Sequence, residues 1–118
     1  MDVRELAADY AAMVKNGQMD EAAMKYWSDD IVTEEAMEGG PYAAVTRGKT
    51  EAVAKAEAWY ANTEVHAMTA DGPYVHGDIF LLRIDLDATP KGGERMRMTE
   101  VVEYQVRDGK VVRERYFY

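Results

Sequence analysis

The residues with the greatest potential for chemistry are glutamates that the sequence places among apolar side chains. In the segment Arg95–Val106 side chains alternate between two faces, and Glu100 shares one face with Met98 and Val102. Burying a carboxylate costs free energy unless it is paired or protonated, so carboxylates in such places are candidate acids or bases. Glu100 is therefore predicted to transfer protons, and the alternative is a salt bridge to an arginine across the sheet.

Two more glutamates have the same potential. Glu114 shares one face of the last apolar segment with Tyr116, and Glu35 faces inward if Thr33 and Met37 do. One alternative stays open for each. The alternative for Glu114 is an exposed residue that pairs with a strand arginine. The alternative for Glu35 is a position in a solvated acidic loop.

The two histidines, His66 and His76, both fall in segments that alternate like strands, and both could point inward. The same alternation places Asp78 with His76 on the predicted inner face of the longest strand. Imidazole titrates near neutral pH, so acid–base work or a polar contact with a ligand is the functional interpretation. A hydrogen-bonded structural histidine is the alternative. No His-x-His or His-x-x-x-His pair and no cysteine occurs, so no metal site is expected.

Tyrosine dominates the aromatic residues, with eight tyrosines against two phenylalanines. A tyrosine contributes apolar area together with a hydroxyl that needs a partner. Tyr10, Trp27, Trp59 and Tyr60 lie on helix faces that should meet the sheet. They indicate either a pocket with phenol groups pointing into it or plain packing of the core.

Composition bounds the class of protein. The chain has 118 residues, with 22 acidic and 14 basic side chains and a net charge of −8. This predicts one domain and disfavours nucleic acids and anionic membranes as partners. No apolar run is long enough for a signal peptide or a membrane span, and a cytoplasmic location is expected. No glycine-rich phosphate loop is present, and no cofactor is expected.

Hydrophobic periodicity predicts the elements that must position these residues. Three helices are expected, and after the third helix the period changes to that of strands. The predicted helices are Val3–Val14, ending by Gly17, then Met19–Trp27 and Lys49–Ala61. The predicted strands are Ile31–Met37, Glu64–Ala70, Val75–Asp87, Arg95–Val106 and Val111–Tyr118. Turns are predicted at 28–30, 71–73, 90–93 and 107–110, with a loop at 38–47. The order α-α-β-α-β-β-β-β is typical of an α+β domain with helices on one face of the sheet.

The chain also resembles a known family in a series of short motifs. They are Trp59-Tyr60-Ala61-Asn62, Glu64-Val65-His66, Gly72-Pro73, Gly77-Asp78-x-Phe80, Glu100-Val101 and the closing Gly109-Lys110-Val111…Glu114-x-Tyr116-Phe117-Tyr118. Their order resembles that of SnoaL-like proteins of the nuclear-transport-factor-2-like superfamily. The resemblance implies a single SnoaL-like domain over residues 1–118. It also implies a cone, in which a curved mixed or antiparallel sheet wraps around a long N-terminal helix, with a pocket at the open end. Homodimers through the outer face of the sheet are expected.

A resemblance to ketosteroid isomerase implies roles for individual residues. Tyr10 matches the tyrosine that donates to the developing oxyanion, Glu35 matches the general base, and Tyr60 matches a tyrosine of the pocket. The position of the second oxyanion donor is occupied by Val102, with Glu100 two residues earlier. Losing one such donor costs about a hundredfold or more in rate.

Together these residues predict an acid–base isomerase, cyclase or lyase that acts on an apolar or cyclic small molecule. Glu35 or Glu100 would move the proton, Tyr10 would stabilise the developing anion, and His66 or His76 could assist. Two alternatives stay open, because this scaffold hosts many functions. One is a binder or carrier without catalysis, and the other is a dimeric interaction module with a filled cone.

Overall fold

The computed structural model describes residues 1–38 and 43–118. In these residues the elements are α1 Val3–Lys15, α2 Met19–Tyr26, β1 Trp27–Glu34, β2 Val45–Arg47, α3 Lys49–Ala61, β3 Thr63–His76, β4 Ile79–Pro90, β5 Met96–Arg107 and β6 Lys110–Phe117. The strands form a mixed sheet in the order β2-β1-β6-β5-β4-β3. β1 is parallel to β6, and the other neighbours are antiparallel. None of the described helices has the length and apolar character needed to cross a bilayer.

The first helix lies against the inner face of the sheet because one of its own faces is apolar. The Asp2 side chain caps the helix by accepting a hydrogen bond from the Glu5 backbone N–H at 2.8 Å. The buried residues of α1 recur at helical spacing and are Leu6, Ala7, Tyr10, Ala11 and Val14. They share one core with inward residues of the sheet, among them Phe80, Leu82, Ile84 and Val102. The predicted α+β cone with three helices is confirmed.

The first strand begins earlier than predicted. Ser28–Asp30 were predicted to form a turn and Trp27 to end the second helix, but β1 contains all four residues. β1 pairs with β6 at Trp27↔Val111 and again from Val32↔Arg113, and the register shifts between these two stretches. Ser28–Asp30 lie in the irregular stretch between these two registers. A polar sequence that predicts a turn is therefore accommodated here as an irregularity within the strand.

The predicted loop of residues 38–47 contains a short strand. β2 pairs antiparallel with β1, with Thr46 opposite Thr33. A strand of three residues is too short to display a period, so alternation could not reveal it. The remainder of the predicted loop, residues 39–42, lies outside the described residues.

The turn between β3 and β4 lies later in the chain than predicted. Residues 71–73 were predicted to form this turn, but β3 continues past them and the chain reverses at residues 77–78. The register of β3 against β4 shifts across residues 71–74, so that Gly72-Pro73 is taken up as a bulge within the strand. A proline is compatible with this place because β3 is an edge strand.

The displaced turn corrects one part of the predicted inner face. The strand predicted to begin at Val75 begins at Ile79. Phe80 and the alternating apolar residues after it face inward as predicted, and Phe80 is fully buried. His76 and Asp78 were assigned to the same face, but both are exposed because the turn interrupts the alternation before β4.

Gly72 offers a test of the bulge. Its φ of +124° lies where side chains are strained, and an added Cβ would meet the Leu81 carbonyl oxygen at 2.9 Å. We expect Gly72→Ala to lower the free energy of unfolding by about 2–4 kcal/mol, measured by urea denaturation. Gly77→Ala is the matched control, because φ is +60° there but an added Cβ meets nothing within 4 Å. A loss of about 1–2 kcal/mol is expected for the control, and equal losses would contradict the importance of the contact with Leu81.

Candidate functional site

A buried carboxylate, that of Glu114 on β6, is a polar centre of the interior. The residue is 3% exposed. Its Oε1 accepts hydrogen bonds from the Tyr10 hydroxyl at 2.8 Å and from the Trp27 indole N–H at 2.7 Å. Its Oε2 accepts a hydrogen bond from the Tyr116 hydroxyl at 2.5 Å. Four of the predicted site residues therefore meet at one point, where α1, β1 and β6 come together.

The three donors explain how this carboxylate is accommodated away from water. Burial raises the pKa of Glu114, while its three hydrogen bonds and the charge of Lys55 oppose the rise. The alternative interpretation, an exposed Glu114 paired with a strand arginine, is wrong because β6 turns this side chain inward.

Tyr10 lies among aromatic rings. It is 1% exposed, and its ring centroid is 4.9 Å from that of Tyr104 and 5.8 Å from that of Phe80. Burial, followed by the charge of Glu114, raises the pKa of Tyr10 well above its usual value. The oxyanion role implied for Tyr10 stays a prediction, and its hydroxyl would have to give up Glu114 to perform it.

A second inward carboxylate, that of Glu100, has no such partners in the described part of the chain. Glu100 is partly exposed and lies opposite Ile84 of β4. In residues 1–38 and 43–118 no hydrogen bond or ion pair reaches its carboxylate. Burial, followed by the charges of Glu35 and Glu114, raises the pKa of Glu100 to about 7.

The salt bridge considered as the alternative for Glu100 does not form among the described residues. The arginines that could have formed it alternate onto the opposite face of the sheet and pair there with Asp87 and Glu34. These arginines are Arg95, Arg97, Arg113 and Arg115. The Glu100 carboxylate is therefore not neutralised by the strands beside it.

Glu35 follows β1 and is held by a lysine that sequence analysis missed. Lys55 Nζ donates to Glu35 Oε1 and to Thr33 Oγ1, both at 3.0 Å. The Tyr118 hydroxyl donates to Glu35 Oε2 at 3.2 Å. Lys55 lies on α3, three residues after the buried Ala52, and this helical spacing was the signal that could have identified it.

The remaining predicted pocket residues of this region differ in exposure. Val102 is fully buried. The partly exposed residues are Met98, Trp59 and Tyr60. Burial, followed by the charges of Asp20 and Glu100, raises the pKa of Tyr60 to about 12. Tyr60 and Glu100 therefore share one electrostatic environment.

His66 does not belong to this interior. It is exposed, and its Nε2 lies 2.8 Å from Thr89 Oγ1. Of the two interpretations given for His66, the hydrogen-bonded histidine fits. Its side chain does not point inward, because the β3–β4 register shifts between Val65 and Ala67, which breaks the alternation at His66. Across the described ranges, no group of three or more acidic or histidine side chains could hold a metal ion.

Two open grooves lie at the surface of the described part of the chain. One, of about 450 Å³, includes Thr69, Asp85 and Thr99 on β3, β4 and β5. The other, of about 510 Å³, lies between β2 and α3, and Arg47 and Lys55 are among its residues. Lys55 therefore borders this groove as well as contacting Glu35.

Comparison with known proteins identifies the family of this chain. The family model described as a SnoaL-like domain matches residues 1–118. The chain belongs to the SnoaL-like domain family. A crystal structure from Mesorhizobium loti, of a candidate SnoaL-like polyketide cyclase also named a carbohydrate phosphatase, is 45% identical over 100% of both chains, with a TM-score of 0.96. No curated protein sequence is significantly similar to the chain.

Two more distant structures share the fold of this SnoaL-like protein. One is a Catenulispora acidiphila protein with a ketosteroid isomerase-like fold in complex with trimethylamine. It has 16% identity, coverage of 97% of this chain and 85% of that chain, and a TM-score of 0.72. The other is a computationally designed 17-OHP binder, with 17% identity, coverage of 100% and 94%, and a TM-score of 0.74. The family resemblance predicted from the sequence is confirmed.

The pKa of Glu100 makes stability depend on pH in a defined direction. The folded state binds this proton more tightly than the unfolded state, where the pKa is near 4.5. Ionised Glu100 therefore opposes folding as the pH rises from about 4.5 through 7. We expect Glu100→Gln to raise the free energy of unfolding by about 1–3 kcal/mol at pH 8 and to change it little near pH 4.5, measured by urea denaturation.

Glu103→Gln is the matched control for this measurement. Glu103 lies on the same strand but on the opposite face, where its Oε1 is 3.8 Å from Arg115 Nη1. No gain at pH 8 is expected for this variant. A gain of the same size in both variants would mean that overall net charge, and not the surroundings of Glu100, sets the effect.

Proposed function

We propose that this SnoaL-like protein is an acid–base isomerase, cyclase or lyase that acts on an apolar cyclic small molecule, with Glu100 moving the proton. One observation carries the proposal. A carboxylate on an apolar face has a pKa of about 7 and lacks a partner among the described residues. A group whose pKa lies near the working pH can both remove and return a proton efficiently.

Glu100 is a better candidate for the base than Glu35. Glu35 already accepts hydrogen bonds from Lys55 and Tyr118, so both of its oxygens are occupied within the protein and are not free to meet a substrate proton. Its charge instead contributes to the raised pKa of Glu100. Tyr10 would then act indirectly, by holding Glu114 in place.

The surroundings of Glu100 support an apolar ligand. Its neighbours on the same face are Met98 and Val102, with Ile84 opposite. A methionine side chain adapts to different shapes, and the phenol of Tyr60 adds a polar group nearby. The trimethylamine complex and the 17-OHP binder are consistent with uptake of small organic molecules by this fold.

Binding without catalysis is the second candidate function, and one observation favours it. The hydroxyls of Tyr10 and Tyr116 and the indole of Trp27 all donate to Glu114. These donors are occupied within the protein and are not available to stabilise charge on a ligand. A carrier needs an apolar surface and orientation, but it does not need such donors.

A homodimer through the outer face of the sheet accompanies either function. Tyr74 and Phe117 are 56% and 45% exposed there, and the partly exposed Leu81 and Val101 lie directly opposite them in the ladder. Exposed apolar side chains that adjoin one another are typical of a contact surface. Sedimentation equilibrium should give a dimer for the wild-type protein and a monomer for Phe117→Glu. A monomeric wild-type protein would exclude this interface.

Hydrogen exchange tests the catalytic proposal without knowledge of the natural substrate. Cyclohexanone, 2-cyclohexenone and δ-valerolactone would be incubated with the protein in D₂O, and NMR would follow loss of the C–H signals next to the carbonyl group. We expect accelerated exchange of at least one compound, with a rate that rises through about pH 7 as Glu100 ionises. Glu100→Gln should lower this rate by about 100-fold or more.

The control is again Glu103→Gln, which should retain the exchange rate. If the wild-type protein exchanges none of the compounds faster than Glu100→Gln does, the catalytic proposal is wrong. Chemical-shift changes on ligand binding in the same spectra would then support the carrier.

A further inference from the structure

The groove between β2 and α3 lies apart from the carboxylate proposed to transfer a proton. It has a volume of about 510 Å³, which is within the size range of pockets that hold small molecules. Its walls include Val45 and Arg47 of β2 and Glu51, Ala54 and Lys55 of α3. The candidate base is not among the residues that border it. A ligand in this groove would therefore be separate from the site of proton transfer.

The groove forms where the chain turns from an edge strand into a helix. Gly48 follows β2 with a φ of +90°, and its N–H donates to the Ile31 carbonyl oxygen at 2.8 Å. Glu51, Ala54 and Lys55 then recur at spacings that bring them to one side of α3. One wall of the groove therefore comes from the edge strand and the other from one side of the helix.

Arg47 brings a cation to the groove. The residue is exposed, and across residues 1–38 and 43–118 its guanidinium makes no hydrogen bond or ion pair. A guanidinium presents its N–H groups in a fixed fork that matches the two oxygens of a carboxylate. Arg47 is therefore available to bind an anion in the groove.

Lys55 adds a second donor from the opposite wall. Its Nζ donates to Thr33 Oγ1 and to Glu35 Oε1, both at 3.0 Å, and these two bonds hold it in place. An ammonium group has three donor hydrogens, and the third meets no acceptor among the described residues. Lys55 can therefore donate one hydrogen bond to a ligand without giving up Glu35.

The balance of charge favours a ligand with one negative charge. Arg47 and Lys55 are the cations of the described lining, and Glu51 is its carboxylate. Lys55 is already paired with Glu35, so most of the attraction for an anion comes from Arg47. Glu51 would repel a dianion more strongly than a monoanion. A monocarboxylate therefore fits the groove better than a phosphate dianion does.

The rest of the lining has room for an apolar body. Val45, Ala43 and Ala54 are exposed in the groove, and their side chains are small. Val45 and Arg47 lie on the same face of β2, about 7 Å apart along the strand. A carboxylate held by Arg47 would thus place the body of its ligand beside Val45. This spacing matches a body the size of a single aromatic ring.

We propose that the groove between β2 and α3 is a separate ligand site, which binds a small organic monocarboxylate. The fork of Arg47 and the third hydrogen of Lys55 bond to the carboxylate, and Val45 contacts the apolar body. This inference goes beyond the proposed function and does not depend on it, because Glu100 does not border the groove.

Amide NMR spectra of the ¹⁵N-labelled protein test this site by titration with 4-ethylbenzoate at pH 7. Two further probes separate its parts: 4-ethylbenzamide has the same apolar body without the charge, and inorganic phosphate has charge without the body. We expect 4-ethylbenzoate to shift the amide signals of residues 45–47 and 51–55. 4-Ethylbenzamide and phosphate should each bind about tenfold more weakly or worse.

Substitution of the arginine tests its part in binding. Arg47→Met should weaken 4-ethylbenzoate binding about tenfold or more, because the donor fork is lost. Arg107→Met is the matched control, because Arg107 is exposed at the end of β5, does not border the groove and changes the net charge equally. It should bind like the wild-type protein. If Arg47→Met does not fold, as judged by circular dichroism, Arg47→Lys keeps the charge without the fork and should still bind more weakly than the wild type.

Several results would overturn this inference. Equal weakening in Arg47→Met and Arg107→Met would mean that net charge sets the affinity. Phosphate that binds as tightly as 4-ethylbenzoate would show a general anion site without a role for the apolar body. Shifts confined to the amides around Glu100, or no saturable shift at all, would remove the carboxylate from the groove. None of these results decides the proposed function, which hydrogen exchange on the cyclic ketones tests separately.

Discussion

The carboxylate of Glu114 joins parts of the chain that are far apart in sequence. Tyr10 belongs to the first helix, Trp27 begins the first strand, and Tyr116 lies near the end of the last strand. A buried carboxylate is costly unless donors surround it, so these three side chains are fixed by the charge they satisfy. Two of these aromatic residues pack as apolar groups and supply a hydroxyl at the same time.

The same charge shapes the chemistry of its neighbours. The charges of Glu35 and Glu114 act on Glu100, and Lys55 is the cation that contacts Glu35. The three carboxylates have different surroundings. Glu114 is surrounded by hydroxyl and indole donors, Glu35 is paired with a lysine, and Glu100 retains its proton more readily. Different local partners thus give three residues of one type three different properties.

The sequence contains much of this arrangement but not all of it. Alternation along the penultimate strand was enough to place Glu100 on an apolar face, and helical spacing placed Tyr10 inward. Trp27 was also placed inward, but as part of a helix and not as the start of β1. His76 was misassigned because a displaced turn shifts the alternation, and a bulge turns His66 outward. Such irregularities depend on the pairing of strands with partners distant in sequence. Lys55 was missed because a lysine at the edge of a helix face is usually solvated, and the acceptors that hold it come from another element.

The parallel pairing of β1 with β6 has a consequence for how this chain acquires its structure. β6 lies between β1 and β5, so the ladder stays divided until residues 110–117 are available. Until then Tyr10 and Trp27 have no carboxylate to bond. During synthesis the helices and the long hairpins can form, but the interior is completed only by the last strand. Because the interior depends on contacts between residues distant in sequence, we expect its packing to form slowly and late in folding. The chain should be vulnerable to proteases until synthesis is complete.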